Sequence, residues 1–322
     1  MRAATGRAPS KLILLGEHAV VYGHPAVAVP LQKPGAEASV VATEGDAPVA
    51  VELKDFDIRW SRGEDIPADE VRPFAELVGS VSRRYESIPE NGWSLSVSSE
   101  IPIGCGLGSG AAVSVAAFRA VFRCFGVPHT PRELSDSAYE IEKIHHGTPS
   151  GIDNTVIATG RPVLFRKGAA PDFLNAPEAP VFLVVGYTGV RHKTVEIVSD
   201  VAKARAADRA AYDAMFREIG DIARRGAEAF ENGAFEELGG LMGANQRLLE
   251  RIGVSSPELD GLVRAAQKAG ALGAKLSGAG RGGCMAALAA DRASAERLKG
   301  ALESAGAAAA VVATVLERGK GS

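Results

Sequence analysis

The chain has 322 residues, 46% of them hydrophobic and 23% charged, with a formal net charge of −3. That length accommodates two domains with separate cores, and the weak charge without any Lys/Arg stripe excludes a nucleic-acid footprint. Three scattered cysteines (Cys105, Cys124, Cys284) read as free thiols, and neither a signal peptide nor a membrane span is visible, so a cytoplasmic protein is expected.

In chain order, residues 11–15 predict a buried strand ending at Gly16. Residues 20–22 and 26–29 predict short strands around the turn Gly23-His24-Pro25. Further strands are expected at Val40 and over 49–53, a helix over 74–85, and a half-buried strand over 93–98, where apolar and polar residues alternate. Residues 111–125 predict a helix that stops at Gly126 before Pro128. A second helix, 131–144, opens with Thr130 as N-cap, Pro131 first and Glu133 third. Strands over 161–165 and 180–185 flank a polar, proline-containing link, which divides a domain of residues 1–170 from one of residues 171–322. Residues 194–269 read as helical with breaks at Gly233 and over 253–257, followed by a strand (284–288), a helix (293–304) and a strand (311–316).

The most informative segment is the glycine-rich turn Ile101 to Ala112, set between a strand and a helix. Glycines ahead of a helix let backbone N–H groups approach an anion, and the helix N-terminus adds partial positive charge, so phosphate is the natural ligand. Gly110 is followed by Ala111 rather than Lys, which excludes the P-loop. The dinucleotide fingerprint is met only loosely by Gly106, Gly108 and Ala111, and the acidic residue expected about 20 positions later is missing. A tight turn without a ligand is the other reading of the same glycines. A second glycine loop, residues 273–284, contains Gly278, Gly280 and Gly283 but leads into a strand, which is the wrong order for a dinucleotide unit. Beside the first loop it suggests a second wall of one phosphate site.

Phosphoryl transfer also needs a carboxylate for a metal and a group that orients or deprotonates the acceptor. Glu142, near a helix end, and Asp153, after the turn Pro149-Ser150-Gly151, can supply them. An Asx-type cap is the alternative role for Asp153. Glu142 and His146 have i,i+4 spacing, but no third zinc ligand is evident.

Three blocks together resemble the GHMP kinases, the superfamily of galactokinase, homoserine kinase, mevalonate kinase and phosphomevalonate kinase. They are Ala8-Pro9-Ser10-Lys11 through Gly16-Glu17-His18-Ala19-Val20-Val21-Tyr22-Gly23, then Pro102 to Ala112, then Lys275 to Cys284. The mevalonate kinase branch is nearest, through Gly16–Gly23, His146–Asn154 and Gly186-Tyr187-Thr188-Gly189-Val190. The resemblance implies ATP-dependent phosphorylation of the mevalonate 5-hydroxyl. It implies two α+β domains, the first ribosomal-S5-like and the second α/β, with the active site in the cleft between them, and a homodimer in many members. Carried over by position, Asp153 would be the catalytic base, and Lys11 the cation that stabilises the transferring charge and touches the nucleotide. Glu142 would hold Mg²⁺. Gly104, Cys105, Gly106, Leu107, Gly108, Ser109 and Gly110 would wrap the ATP phosphates, with Ser99 a further nucleotide contact. Glu17, His18 and Thr188 would face mevalonate.

The chain departs from that pattern in three places. Gly110 stands where the family's second serine helps to ligate Mg²⁺, Arg281 interrupts the glycines of the third block, and Ser10 replaces a glycine before Lys11. Arg281 reads either as a solvent-facing side chain or as a cation that compensates for Gly110. Arg191, His192 and Lys193 keep a phosphorylated acceptor open, and Gly110 motivates a rival of another class, a nucleotide-binding regulator without turnover.

Overall fold

A computed structural model describes residues 2–43, 45–102, 104–146, 150–191 and 193–315, the last two residues of the 131–146 helix by backbone alone. Ile103, Gly147, Thr148, Pro149, His192 and Leu316, as well as the side chain of His146, therefore lie outside the described residues.

The chain forms two compact units, each assembled from several stretches. The first comprises Met1–Ser10, Pro34–Ile101 and Gly108–Thr159, and the second Lys11–Lys33, Pro102–Leu107 and Gly160–Ser322. This differs from a single cut at residue 170. Two long strands, β1 (Arg2–Leu15) and β2 (Ala26–Ala42), pass from one unit to the other, because each continues without a break through the point where the chain changes unit.

In the first unit the C-terminal half of β2 pairs antiparallel with β5 (Trp93–Ser99), from Ala36 opposite Ser99 to Ala42 opposite Trp93. β3 (Ala50–Leu53) runs parallel to β5 and pairs antiparallel with β4 (Ile58–Ser61). Four helices belong to this unit: α1 (Arg72–Arg84), α2 (Ser109–Phe125), α3 (Pro131–His146) and α4 (Ile152–Thr159). α2 is buried along most of its length because Ala, Val and Phe occupy nearly all of its faces, the pattern of a central helix. Its Phe125 meets Trp93 of β5 edge to face at 5.8 Å.

In the second unit the N-terminal half of β2 pairs with β6 (Val163–Phe165), and β6 with β7 (Asp172–Phe173). A separate antiparallel sheet has the order β11-β8-β10-β9, made of β8 (Phe182–Tyr187), β9 (Gly273–Ser277), β10 (Cys284–Ala289) and β11 (Ala309–Thr314). Between β8 and β9 run α5 (Thr194–Ala207), α6 (Arg209–Glu231), α7 (Phe235–Ile252) and α8 (Pro257–Lys268), and α9 (Arg292–Ser304) joins β10 to β11. Two helix breaks fall at Gly233 and between Gly253 and Ser256, as the glycines and Pro257 predict, and a third, not expected, falls at Asp208, whose side chain caps α6 by accepting the Ala211 N–H. Among the described residues no helix is long and apolar enough to cross a membrane.

Two expectations change. Residues 20–22 are not a strand: Ala19–Tyr22 is a 3-10 turn closed by Gly23 in the left-handed region. The six residues between Gly16 and Gly23 leave no room for ladder pairing, and Tyr22 instead stacks on Phe216 of α6 with ring centroids 4.5 Å apart. Residues 273–277, read as part of a glycine loop, form the buried strand β9, hydrogen-bonded to β10 and covered by α7 and α8.

Candidate active site

The phosphate-loop candidate alternates left-handed glycines, Gly104 (φ 76°), Gly106 (φ 72°) and Gly108 (φ 74°), around Cys105 and Leu107. Only glycine takes this conformation without a steric penalty, and alternation with right-handed or bridging residues turns successive N–H groups toward one concavity. Leu107 is buried, and its carbonyl accepts the Lys11 N–H at 3.0 Å, which ties β1 to the loop. Gly108 caps α2, whose first turn carries no acidic side chain and no side-chain cap, so its orphan N–H groups are left for an anion. Ser109 is half-buried at the first helical position. Gly110 is exposed, and a Cβ built on it would meet nothing within 4 Å.

Within the second unit the other glycine loop lies against this one. A Cβ placed on Gly106 would sit 3.5 Å from Gly278 Cα, so two backbones face each other where side chains would intervene. The Cys284 thiol approaches the Cys105 carbonyl at 3.1 Å, and burial pushes its pKa up to about 12. Burial also raises the Cys105 thiol, with the nearby Arg191 charge pulling it back in part. Gly280 has no alternative: a Cβ there would lie 2.0 Å from the Val254 carbonyl.

Behind the loops is a buried polar cluster. Lys275, mid-strand in β9, and Glu17 are both completely buried and form an ion pair, and Lys275 Nζ also donates to the Leu276 carbonyl at 2.6 Å. Burial moves each toward its neutral form, raising Glu17 and lowering Lys275, and their mutual attraction opposes both shifts. The Gly16 N–H donates to Asn245 Oδ1 at 3.0 Å, and the Leu276 N–H to Gln246 Oε1 at 2.8 Å. His18 has a positive φ (61°) with ψ −46°, a sparsely populated conformation that costs a non-glycine residue roughly 1–3 kcal/mol. Its Nε2 hydrogen-bonds to the Ala279 carbonyl at 2.9 Å, and burial lowers its pKa. Neither Glu17 oxygen reaches solvent, and its pair with Lys275 braces the turn that carries His18. Thr188 Oγ1 donates to the Gly283 carbonyl at 3.1 Å and accepts the Val190 N–H at 3.2 Å. Lys11 is buried in β1.

The remaining candidates belong to the first unit. Ser99 receives the Ile101 N–H on its hydroxyl at 3.1 Å and donates its own N–H to Asp55 at 2.6 Å. Glu142 is buried on α3. Asp153 is the second residue of α4, half-buried, just after Gly151 (φ 85°). Its neighbour Asn154 donates to the Ser135 carbonyl and hydroxyl at 3.1 and 2.7 Å, so the helix carrying Asp153 is pinned to the helix carrying Glu142. Among the described residues no group of three or more His, Cys, Asp or Glu side chains could hold a metal ion alone.

Arg281 is not free to compensate for Gly110. Its Nη1 donates to Asp200 Oδ2 of α5 at 2.7 Å, and it holds the Asp200 carboxyl below the usual range. Its backbone is left-handed (φ 54°), which glycine occupies without strain. Arg281→Gly therefore exchanges a partly exposed ion pair for relief of that strain. We expect stability within about 1 kcal/mol of wild type and kcat/KM within about twofold. A tenfold loss of kcat/KM would return Arg281 to the phosphate site.

The GHMP kinases N terminal domain model matches residues 74–161, and the GHMP kinases C terminal model matches residues 227–308. The chain therefore belongs to the GHMP kinase family, in its mevalonate kinase branch. The mevalonate kinases of Thermococcus gammatolerans and Thermococcus sibiricus are 37% and 36% identical to it, each over 303 residues covering 88% of this chain and 89% of the relative. The crystal structure of L. major mevalonate kinase in complex with R-mevalonate superposes with a TM-score of 0.83 at 28% identity, covering 98% of this chain and 96% of that one.

Proposed function

We propose that this chain transfers the γ-phosphoryl group of ATP to the 5-hydroxyl of mevalonate. The observation that carries the reading is the loop of alternating left-handed glycines, faced by Gly278, opening into an uncapped helix and tied to Lys11 through Leu107. Such a concavity binds a polyphosphate through backbone N–H groups and needs no acidic side chain.

In this reading Asp153 accepts the proton of the acceptor hydroxyl as its oxygen bonds to the γ-phosphorus and the bond from that phosphorus to the β,γ-bridging oxygen breaks, releasing ADP, and Lys11 offsets charge gathering on the phosphoryl oxygens. His18 and Thr188, held by Ala279 and Gly283, position the acceptor. Glu142, a carboxylate on α3, would hold a hard divalent cation. Mg²⁺ would supply charge neutralisation when bound.

The test is ADP release from Mg·ATP with mevalonate, phosphomevalonate, sugars and homoserine. Turnover with mevalonate alone supports the reading. Preference for phosphomevalonate moves the function to a related kinase, and ATP binding without turnover moves it to a regulator.

Gly110 yields a directed gain. Since the position is open and not left-handed, Gly110→Ser introduces a hydroxyl at the second helical position without a clash and removes a poor helix former. We expect the KM for Mg·ATP to fall severalfold, read by titrating ATP at saturating mevalonate. An unchanged or raised KM would mean that water already serves this position.

A further inference from the structure

Arg191 has no role in the reading above, yet its placement is unusual. Its backbone is anchored on the second glycine loop: the Thr188 N–H donates to the Gly283 carbonyl at 2.9 Å, and the Gly283 N–H donates to the Val190 carbonyl at 2.9 Å. From that anchor the side chain crosses to the first loop. A Cβ built on Gly104 would lie 3.8 Å from both Cγ and Cδ of Arg191, so the aliphatic stem runs past the face of the loop that glycine leaves without a side chain. The guanidinium is close enough to Cys105 to act on its thiol, and it remains exposed. Among the described residues it forms no ion pair with a carboxylate, whereas Arg281 is committed to Asp200.

We propose that Arg191 contacts the phosphate chain of the bound nucleotide. This rests on the assignment of Gly104 to Gly108 as the phosphate loop. A stem running past the loop shortens the reach of the head group and limits the side-chain entropy lost on contact. The planar guanidinium presents paired donors that match phosphate oxygens, and charge-assisted hydrogen bonds of this kind are stronger than those from neutral backbone N–H groups.

The experiment uses the full chain with Arg191→Ala and Arg191→Lys, and measures Mg·ATP and adenosine binding by calorimetry together with steady-state KM values for ATP and mevalonate. Loss of one charge-assisted contact predicts about tenfold weaker ATP binding in the Ala variant. Adenosine affinity and the mevalonate KM should stay within about twofold, and Lys should recover part of the loss. Equal ATP affinity in wild type and Arg191→Ala overturns the proposal. So does a rise confined to the mevalonate KM, which would assign the guanidinium to the acceptor carboxylate. Parallel loss of adenosine affinity and melting temperature would also overturn it, by marking a structural role. A wild-type chain that fails to bind ATP would instead bring down the assignment of the loop.

Discussion

Asp153→Asn lowers kcat about 10²–10⁴-fold while ATP affinity and melting temperature stay near wild type. The size follows from the role: an amide of nearly the same shape can still accept a hydrogen bond from the acceptor hydroxyl but cannot take its proton. The selectivity follows from the local structure. Asp153 occupies the first turn of α4 and is half-buried, and that turn is held by Gly151 before it and by the Asn154–Ser135 hydrogen bonds after it. Coupled measurement of ADP release, with a thermal melt and an ATP titration on the same sample, checks all three quantities. A kcat within threefold of wild type would remove Asp153 from the chemistry and leave it a capping residue of α4.

Lys275→Met destabilises the fold by about 3–5 kcal/mol, on the order of 10 °C in melting temperature. Both members of the Glu17–Lys275 pair are completely buried, and Glu17 Oε2 accepts no hydrogen bond among the described residues. Taking Lys275 away leaves Glu17 desolvated without its hydrogen-bonded partner and with only the weaker pull of the Lys11 charge, so the cost exceeds the net worth of the pair. Glu17→Gln should act in the same direction but less strongly, because the amide still accepts from Lys275 Nζ. Replacing both by methionine should recover much of the loss, since an apolar pair carries no desolvation penalty. The coupling in that double-mutant cycle, measured by denaturant unfolding, separates pair breakage from generic core damage. Purely additive losses would show that the pair is energetically idle. Because Glu17 precedes the strained His18, a loosened pair should also weaken acceptor binding.

Much of the helical layout was readable because it depends on local signals. Thr130, Pro131 and Glu133 mark the start of α3, and the Thr130 and Glu133 side chains do exchange hydrogen bonds with each other's backbone. Gly126 ends α2 in the left-handed region, and Gly253 ends α7 the same way. Short strand segments carry a weaker signal. Residues 20–22 have strand composition, but packing of Tyr22 on Phe216 outweighs that propensity. β9 was hidden for the opposite reason: Gly273 suggests a loop, yet it is glycine because α7 passes so close that a Cβ there would lie 2.3 Å from the Gly239 carbonyl. A lysine at the centre of a strand is the available sign of a buried partner, which Lys275 finds in Glu17.

The site divides along the same line. Residue order alone sufficed for the glycine turns, because φ and the direction of N–H groups are properties of a few consecutive residues. It also sufficed for the family, because the three blocks carry residue types that this chemistry needs. The assignment of long charged side chains to partners lay beyond it. Lys275 went to Glu17 across 258 positions, Arg281 to Asp200 across 81, and Arg191 to the face of Gly104. An arginine or lysine can reach any acid or anion that folding brings within several ångströms, so its partner is set by which backbones are packed together and by which carboxylates are already taken.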